Sequence, residues 1–117
     1  MTKTKTSFET VRKLALALPG VEESTAYGKA AVKVQGKLLA CVPTHRSAEP
    51  NSIVIRVDSE QCASLLAEAP DVYYLPDHYL GYNCVLVRLS RITPEALRDL
   101  VRTAHRFVTQ RSARPSR

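Results

Sequence analysis

The run "KAAVKVQGKLLACV", Lys29 to Val42, limits this chain more than any other stretch. Ala30, Val32 and Val34 alternate with Lys29, Ala31 and Lys33, the period-two pattern of a strand with one buried face. Gln35-Gly36 sits between two such runs. A two-residue link of this kind turns a hairpin, because Gly adopts positive φ without steric cost. The register sets Lys37 opposite Val34 and Leu39 opposite Val32. It predicts an inward face of Ala30, Val32, Val34, Leu39 and Cys41, with Lys29 and Lys33 on the other face and Lys37 at the tip. A chain committed to this hairpin is committed to a sheet, and its other segments have to cover that sheet.

The flanking segments supply the cover. Thr6 and Glu9 have capping-box spacing, and Val11, Leu14, Ala15 and Leu18 recur on one helical face. Pro19-Gly20 stops that helix, which spans about Ser7 to Leu18. A polar loop, "PTHRSAEPN", leads into a strand, "SIVIRV", with Ile53, Ile55 and Val57 on one side and Val54 and Arg56 on the other. Asp58 or Ser59 caps a second helix with a stripe of Cys62, Leu65, Leu66 and Ala69, ended by Pro70. "VYYLPDHYLGYNCVLVRL" reads as a short strand, a bend and a longer strand. Pro76 keeps the first piece short or at an edge, and Gly81 marks the bend. Val85, Val87 and Leu89 face one way, and Cys84, Leu86 and Arg88 the other. Thr93-Pro94 starts a third helix, about Pro94 to Thr109. It buries Leu97, Leu100, Val101, Ala104 and Val108 and carries Arg98, Arg102 and Arg106 on its far side. The order α-β-β-β-α-β-β-α predicts an α+β fold, with a largely antiparallel sheet and helices packed on one face.

With 117 residues, 44% hydrophobic and 24% charged, the chain is sized for one domain with one modest core. The expected domain spans 7–109, between a flexible basic N-terminus, 1–6, and a flexible basic tail, 110–117. No apolar run approaches the ~18 residues of a membrane span. "MTKTKTSFET" lacks the apolar stretch of a secretory signal, so a cytoplasmic protein is expected. Cys41, Cys62 and Cys84 are far apart and odd in number, which suits reduced, buried thiols. The formal net charge is +6. Setting aside Lys3, Lys5, Arg111, Arg114 and Arg117 leaves 12 basic against 11 acidic residues, so most of the excess sits at the ends. Any basic surface on the body must come from arrangement.

Four landmarks carry a resemblance: "LPGVEES", "VQGKLLA", "APDVYYLPDHYLGYNCVLVRL" and "ITPEALRDLVRTAHRFV". In this order and spacing, from about Phe8 to Val108, the chain resembles the MmcQ/YjbR family of small bacterial proteins. The resemblance implies an α+β fold similar to the type III secretion chaperones and, loosely, to frataxin. It also implies the family's usual description as DNA-binding, through a double wing. The wings would be the hairpin around Gln35-Gly36 and the strand pair around Pro76–Gly81. This chain departs from the family pattern at Ala30–Val32, where an aromatic is frequent, and at Tyr82-Asn83-Cys84, where Trp is common.

Candidate chemistry is sparse. Cys41, His45, Asp77, His78 and Cys84 bear metal-ligating groups, but their spacing matches no established site, and buried thiols beside exposed histidines is the plainer reading. Cys84 with His78 lacks a third group to orient the imidazole, and Cys62 lies on an apolar stripe. Glu22 and Glu23 are adjacent in an extended segment and point opposite ways, which suits a salt bridge or a cap better than paired acid–base work. No phosphate-cradling Gly motif is present. The expectation is therefore a non-enzymatic protein with no cofactor and no bound metal. The best functional cluster is Lys29, Lys33 and Lys37, a basic ribbon able to lie along phosphates, although Lys also guards strand edges against aggregation. Arg88 and Arg91 extend it, and Tyr79 and Tyr82 are candidate stacking residues. Of Tyr73 and Tyr74 at least one is expected to pack. The expected partner is DNA, bound weakly and salt-dependently. The alternatives are a protein partner or a second copy of the chain, and a small molecule in a concave site near His78, Tyr79 and Arg56.

Overall fold

The computed structural model describes residues 7–113, with side chains through 110. The segment 1–6 and the last part of the basic tail, 114–117, lie outside the described residues. The elements are α1 (Phe8–Leu16), β1 (Val21–Ala26), β2 (Lys29–Val34), β3 (Lys37–Cys41), β4 (Ser52–Arg56), α2 (Ser59–Glu68), β5 (Tyr73–Tyr74), a 3-10 turn (Asp77–Tyr79), β6 (Cys84–Arg88) and α3 (Pro94–Ala113). Together they form an α+β fold. The strands make a six-stranded antiparallel sheet in the order β1-β2-β3-β4-β6-β5.

The sheet has one strand more than the sequence pattern indicates. Val21–Ala26, "VEESTA", pairs with β2 along its whole length, from Val21↔Val34 to Ala26↔Lys29. The connection is Tyr27-Gly28 with φ of 55° and 79°, nearly the same as Gln35-Gly36 at 55° and 77°. Positive φ at both central residues is the signature of a type I′ turn, whose twist suits a hairpin. β1 escapes pattern reading because it is a half-exposed edge without apolar alternation. Since β1 takes the edge, β2 is paired on both sides, and edge protection does not explain its lysines.

The hairpin register also changes. Val34↔Lys37 and Lys33↔Leu38 hold, but Val32 then pairs with Ala40 and Ala31 with Cys41. Leu39 is an extra residue in β3, a bulge. Leu39 and Ala40 both join the core beneath the helices, and Cys41 moves to the other face. Ala30, expected inside, is exposed at the hairpin's far end.

Helix ends follow local chemistry. Asp58 caps α2 by accepting from the Gln61 N–H at 2.7 Å, and Thr93 caps α3 by accepting from Ala96 N–H at 3.1 Å. At α1 the cap is one residue later than expected. Ser7 N–H donates to Thr10 Oγ1 at 3.4 Å. Glu9 instead pairs with Arg12, which reaches Glu23 on β1 at 2.7 Å. Glu23 therefore has the salt-bridge role its position suggests. α3 runs through Ala113, past the expected end near Thr109.

The sheet buries apolar residues on both faces. The helix face holds Val32, Val34, Leu39, Ile53, Ile55, Val85 and Val87 against Val11 and Ala15 of α1, Cys62 and Leu65 of α2, and Leu97, Leu100, Val101, Ala104 and Val108 of α3. The second face holds a smaller cluster of Ala31, Cys41, Val54, Cys84 and Leu86. Among the described residues no α-helix contributes to that cluster. Ala48 from the loop 42–51, Tyr74 and Tyr79 pack over it.

The loop is fastened at its C-terminal end. Arg88 grips Glu49 with two hydrogen bonds of 2.8 Å, donates to the Pro70 carbonyl at 3.1 Å, and lies 4.3 Å above the Tyr74 ring. The Tyr74 hydroxyl accepts from Glu49 N–H at 2.7 Å and lies 2.6 Å from Ser52 Oγ. Tyr73 and Tyr74 thus diverge, one into the helix-side core and one onto the second face.

This packing sets two stability outcomes. Ile55→Ala, at the centre of the sheet with no exposure, is expected to cost about 2–5 kcal/mol in urea unfolding. Tyr74→Phe keeps the ring but removes the partner of Ser52, which is 5% exposed, and of Glu49 N–H. It is expected to cost about 1–3 kcal/mol in the same measurement.

Candidate functional site

The antiparallel register gives the sheet two distinct ends. One carries the Gln35-Gly36 turn. Arg56 lies toward this end, because Cys41, at the far end of β3, pairs with Val54 near the start of β4. Asn83 and Cys84 share it, since Cys84 pairs with Arg56. The other end carries Tyr27-Gly28, Lys29, Ser52 and Arg88.

The expected basic cluster is divided between these ends and between the two faces. Lys29 and Lys33 both project from the second face, two residues either side of Ala31. Lys29 is exposed at the Tyr27-Gly28 end. Lys33 is half-buried, beside Glu22 on β1 and Leu38 on β3. No ion pair joins Lys33 to Glu22 among the described residues. Lys37 pairs with Val34, a helix-face residue, so it projects from the opposite side at the turn. The three lysines do not form one surface.

Arg88 is engaged within the molecule, by Glu49, Pro70 and Tyr74. The Glu49 carboxylate holds its pKa above the ordinary value, and Arg88 holds Glu49 below its own. Arg91 is exposed in the turn after β6, at the same end as Lys29. Tyr79 is half-buried on the second-face cluster, and desolvation raises its phenol pKa. Tyr82 is 66% exposed, and its neighbour Leu80 is 56% exposed. They flank Gly81, where φ is +89°.

Arg56 is the residue least prominent in the pattern and the best placed. Its Nε donates to the Asn83 carbonyl at 3.0 Å, fixing the side chain between β4 and the segment bearing Tyr82. It has no carboxylate partner among the described residues. Lys33, Lys37, Arg56 and Tyr82 therefore share the end that carries the Gln35-Gly36 turn. The signal available in the sequence is the phase of "SIVIRV", which sets Arg56 opposite the buried isoleucines. Arg98, Arg102 and Arg106 are all exposed along α3, a solvated helix face.

The residues weighed for metal or nucleophilic chemistry separate by depth. Cys41 and Cys84 are buried on the second face, and burial pushes both thiols up to about 11. Cys62 Sγ donates to the Cys84 carbonyl at 3.5 Å, and burial raises its pKa as well. All three are protonated near neutral pH, the opposite of an activated nucleophile. His45 and His78 stack on each other, with ring centroids 3.7 Å apart and planes within 10°. Among the described residues no group of three or more His, Cys, Asp or Glu is arranged to hold a metal.

Shallow clefts are present among the described residues. One, about 240 Å³, lies under the loop and is lined by residues such as Val42, His45, Glu49 and Ser52. Another, about 270 Å³, lies between α2 and the 75–84 segment, lined by Cys62, Leu66, Leu75, Tyr82 and Cys84 among others. Neither brings His78, Tyr79 and Arg56 together around a concave site. Among the described residues, no helix is long and apolar enough to cross a membrane.

The fold has a solved counterpart. The crystal structure of Deinococcus radiodurans protein DR2400, which bears the domain DUF419, matches with a TM-score of 0.76 at 20% identity. The match covers 97% of this chain and 86% of that one. At that identity the likeness concerns the fold. No curated protein matches the sequence. The family model YjbR matches residues 16–107, the span that contains the whole sheet and most of α3. The chain belongs to the YjbR family.

Proposed function

We propose that this protein binds nucleic acid, without catalysing a reaction, through the end of the sheet that carries the Gln35-Gly36 turn. The observation that supports this reading most is that Lys33, Lys37, Arg56 and the exposed Tyr82 lie at one end of the sheet, Lys33 and Arg56 on the second face and Lys37 on the helix side. Lys37 and Arg56 have no carboxylate in contact among the described residues. Cations on two strands beside an exposed ring suit a phosphate backbone with an occasional stacked base. The hairpin tip is one wing of this surface. The second is the Pro76–Gly81 segment, which folds back as a 3-10 turn and presents Leu80 and Tyr82 from its end. Lys29 and Arg91, at the opposite end, are outside this surface, and Arg88 serves the fold.

A second reading is a protein-interaction module. It draws on the cleft between α2 and the 75–84 segment, whose lining is mainly apolar and whose rim carries Tyr82. Size-exclusion chromatography with light scattering, and capture of a partner that survives high salt, separate it from the first.

The test of the first reading is a titration of labelled duplex and single-stranded oligonucleotides at about 50 mM and about 200 mM salt, since phosphate contacts lose affinity steeply across that range. Lys33→Ala, Lys37→Ala and Arg56→Ala together are expected to weaken binding to every sequence. They are also expected to lower the salt slope by roughly one for each phosphate no longer neutralised. Lys29→Ala is expected to change little. No binding at low salt, or unaltered binding by the triple variant, overturns the proposal.

A further inference from the structure

His45 and His78 belong to different segments, the loop 42–51 and the 3-10 turn. Their stacked rings form one contact that joins the two over the second face, and a hydrogen bond between the Tyr79 phenol and the His45 backbone is another. Tyr79 stands edge-on to both, 6.4 Å from His45 at 87° and 4.9 Å from His78 at 85°. The protonation state of His45 is fixed by geometry. Ser47 N–H donates to His45 Nδ1 at 3.1 Å, and Ser47 Oγ lies 2.8 Å from the same nitrogen. A backbone N–H needs a lone pair to donate to, so Nδ1 is unprotonated and His45 is a neutral imidazole with its proton on Nε2. Ala48 N–H donates to the His45 carbonyl at 3.0 Å and completes the turn. The closed loop is thus built on neutral His45.

The surroundings offer a proton little compensation. Arg46 adjoins His45 on its own loop, and His78 faces it from the 3-10 turn. Beneath lie the Tyr79 phenol and the protonated thiols of Cys41 and Cys84. Glu49, the loop's acid, is held by Arg88, and Asp77 beside His78 is exposed. No carboxylate pairs with either imidazole among the described residues. Desolvation first, then His78 and Arg46, hold the His45 pKa below its ordinary value. The other fastening titrates elsewhere. Arg88 holds the Glu49 carboxyl below its usual range, so that pair persists in acid where imidazoles are charged.

We propose that the His45–His78 stack is a pH-operated latch. Protonation frees residues 43–48 from the 3-10 turn while the Glu49 end stays fastened, and lifts Ala48 from the apolar patch of Cys41, Val54, Cys84 and Leu86. The sign follows from linkage. A folded state that binds a proton less tightly than the open one is favoured above the ordinary imidazole value, ~6.5, and loses that advantage as pH falls below it. Each pKa unit of depression corresponds to about tenfold in the closed-to-open ratio. Release of the latch opens a flap, because Arg88, Tyr74 and Ser52 still hold its base.

Amide-resolved NMR on the full chain tests this, at about pH 7.5 and about pH 5, the span over which imidazoles charge. The wild type is expected to lose order at Ser47 and Ala48 in the acidic sample, while the β4 and β6 amides keep theirs and so report an intact fold. The His45 midpoint is expected below ~6.5 and is expected to rise in His78→Ala. His45→Asn retains a side-chain acceptor for Ser47 N–H, and His78→Phe retains a ring to stack. The loop of that double variant is expected to be ordered equally at both pH values. Equal order at both pH values in the wild type, or acid opening that persists in the double variant, overturns the proposal.

Discussion

The sheet buries apolar side chains on both faces, yet its helices cover one. The rest of the architecture depends on how the second face is closed. Strand alternation makes the problem unavoidable, since every residue of β4 and β6 that does not face α3 faces away from it. Val54, Cys84 and Leu86 must be shielded, and a ten-residue loop with a 3-10 turn is what the chain has for the purpose. Loops shield poorly unless held. Here the holding group is Arg88, which in one position donates to Glu49 from Nε and Nη2, reaches the Pro70 carbonyl from Nη1 and stacks over Tyr74. An Arg guanidinium is suited to this role because its planar fork makes two directed bonds while its face remains free for a ring.

This constraint explains which functional residues are legible in the sequence. Arg88 looks like a free cation there because it alternates with buried residues and so points away from the helices. The pattern says which face a residue occupies and is silent on whether a distant loop returns to meet it. Glu49 is 39 positions away from Arg88. Lys37 departs from expectation for a related reason. Its strand partner, Val34, is the one the turn dictates, but cross-strand partners share a face, and Val34 belongs to the core under the helices. Tip and face are different properties, and a residue at a turn has both.

The elements themselves are legible where local chemistry sets them. The Asp58 and Thr93 caps, the Gln35-Gly36 turn, and the alternation of β4 and β6 all concern interactions within a few residues. β1 and the bulge at Leu39 do not. "VEESTA" has little intrinsic preference for a strand, and it becomes one because β2 has a vacant edge and Tyr27-Gly28 directs the chain back along it. The bulge adjusts β3 so that both Leu39 and Ala40 reach the helix-side core, and it sends Cys41 to the second face. Without that shift Cys41 would sit with Val32, and the patch that the loop covers would be smaller.

Electrostatically the two fastenings of the loop are unlike. The Arg88–Glu49 pair joins opposite full charges, and each partner favours the ionised form of the other. The His45–His78 contact joins two groups that are compatible when neutral and repel when charged. A loop held by two pairs of the first kind would stay closed from acid to neutral pH. A loop held by two of the second kind would leave the sheet altogether on acidification. One of each, four residues apart in the same loop, gives a segment that opens on its His45 side. Since Arg56, Lys33 and Lys37 lie outside this loop, a change in its position alters the apolar character of the second face without altering the grouping of cations at the Gln35-Gly36 end.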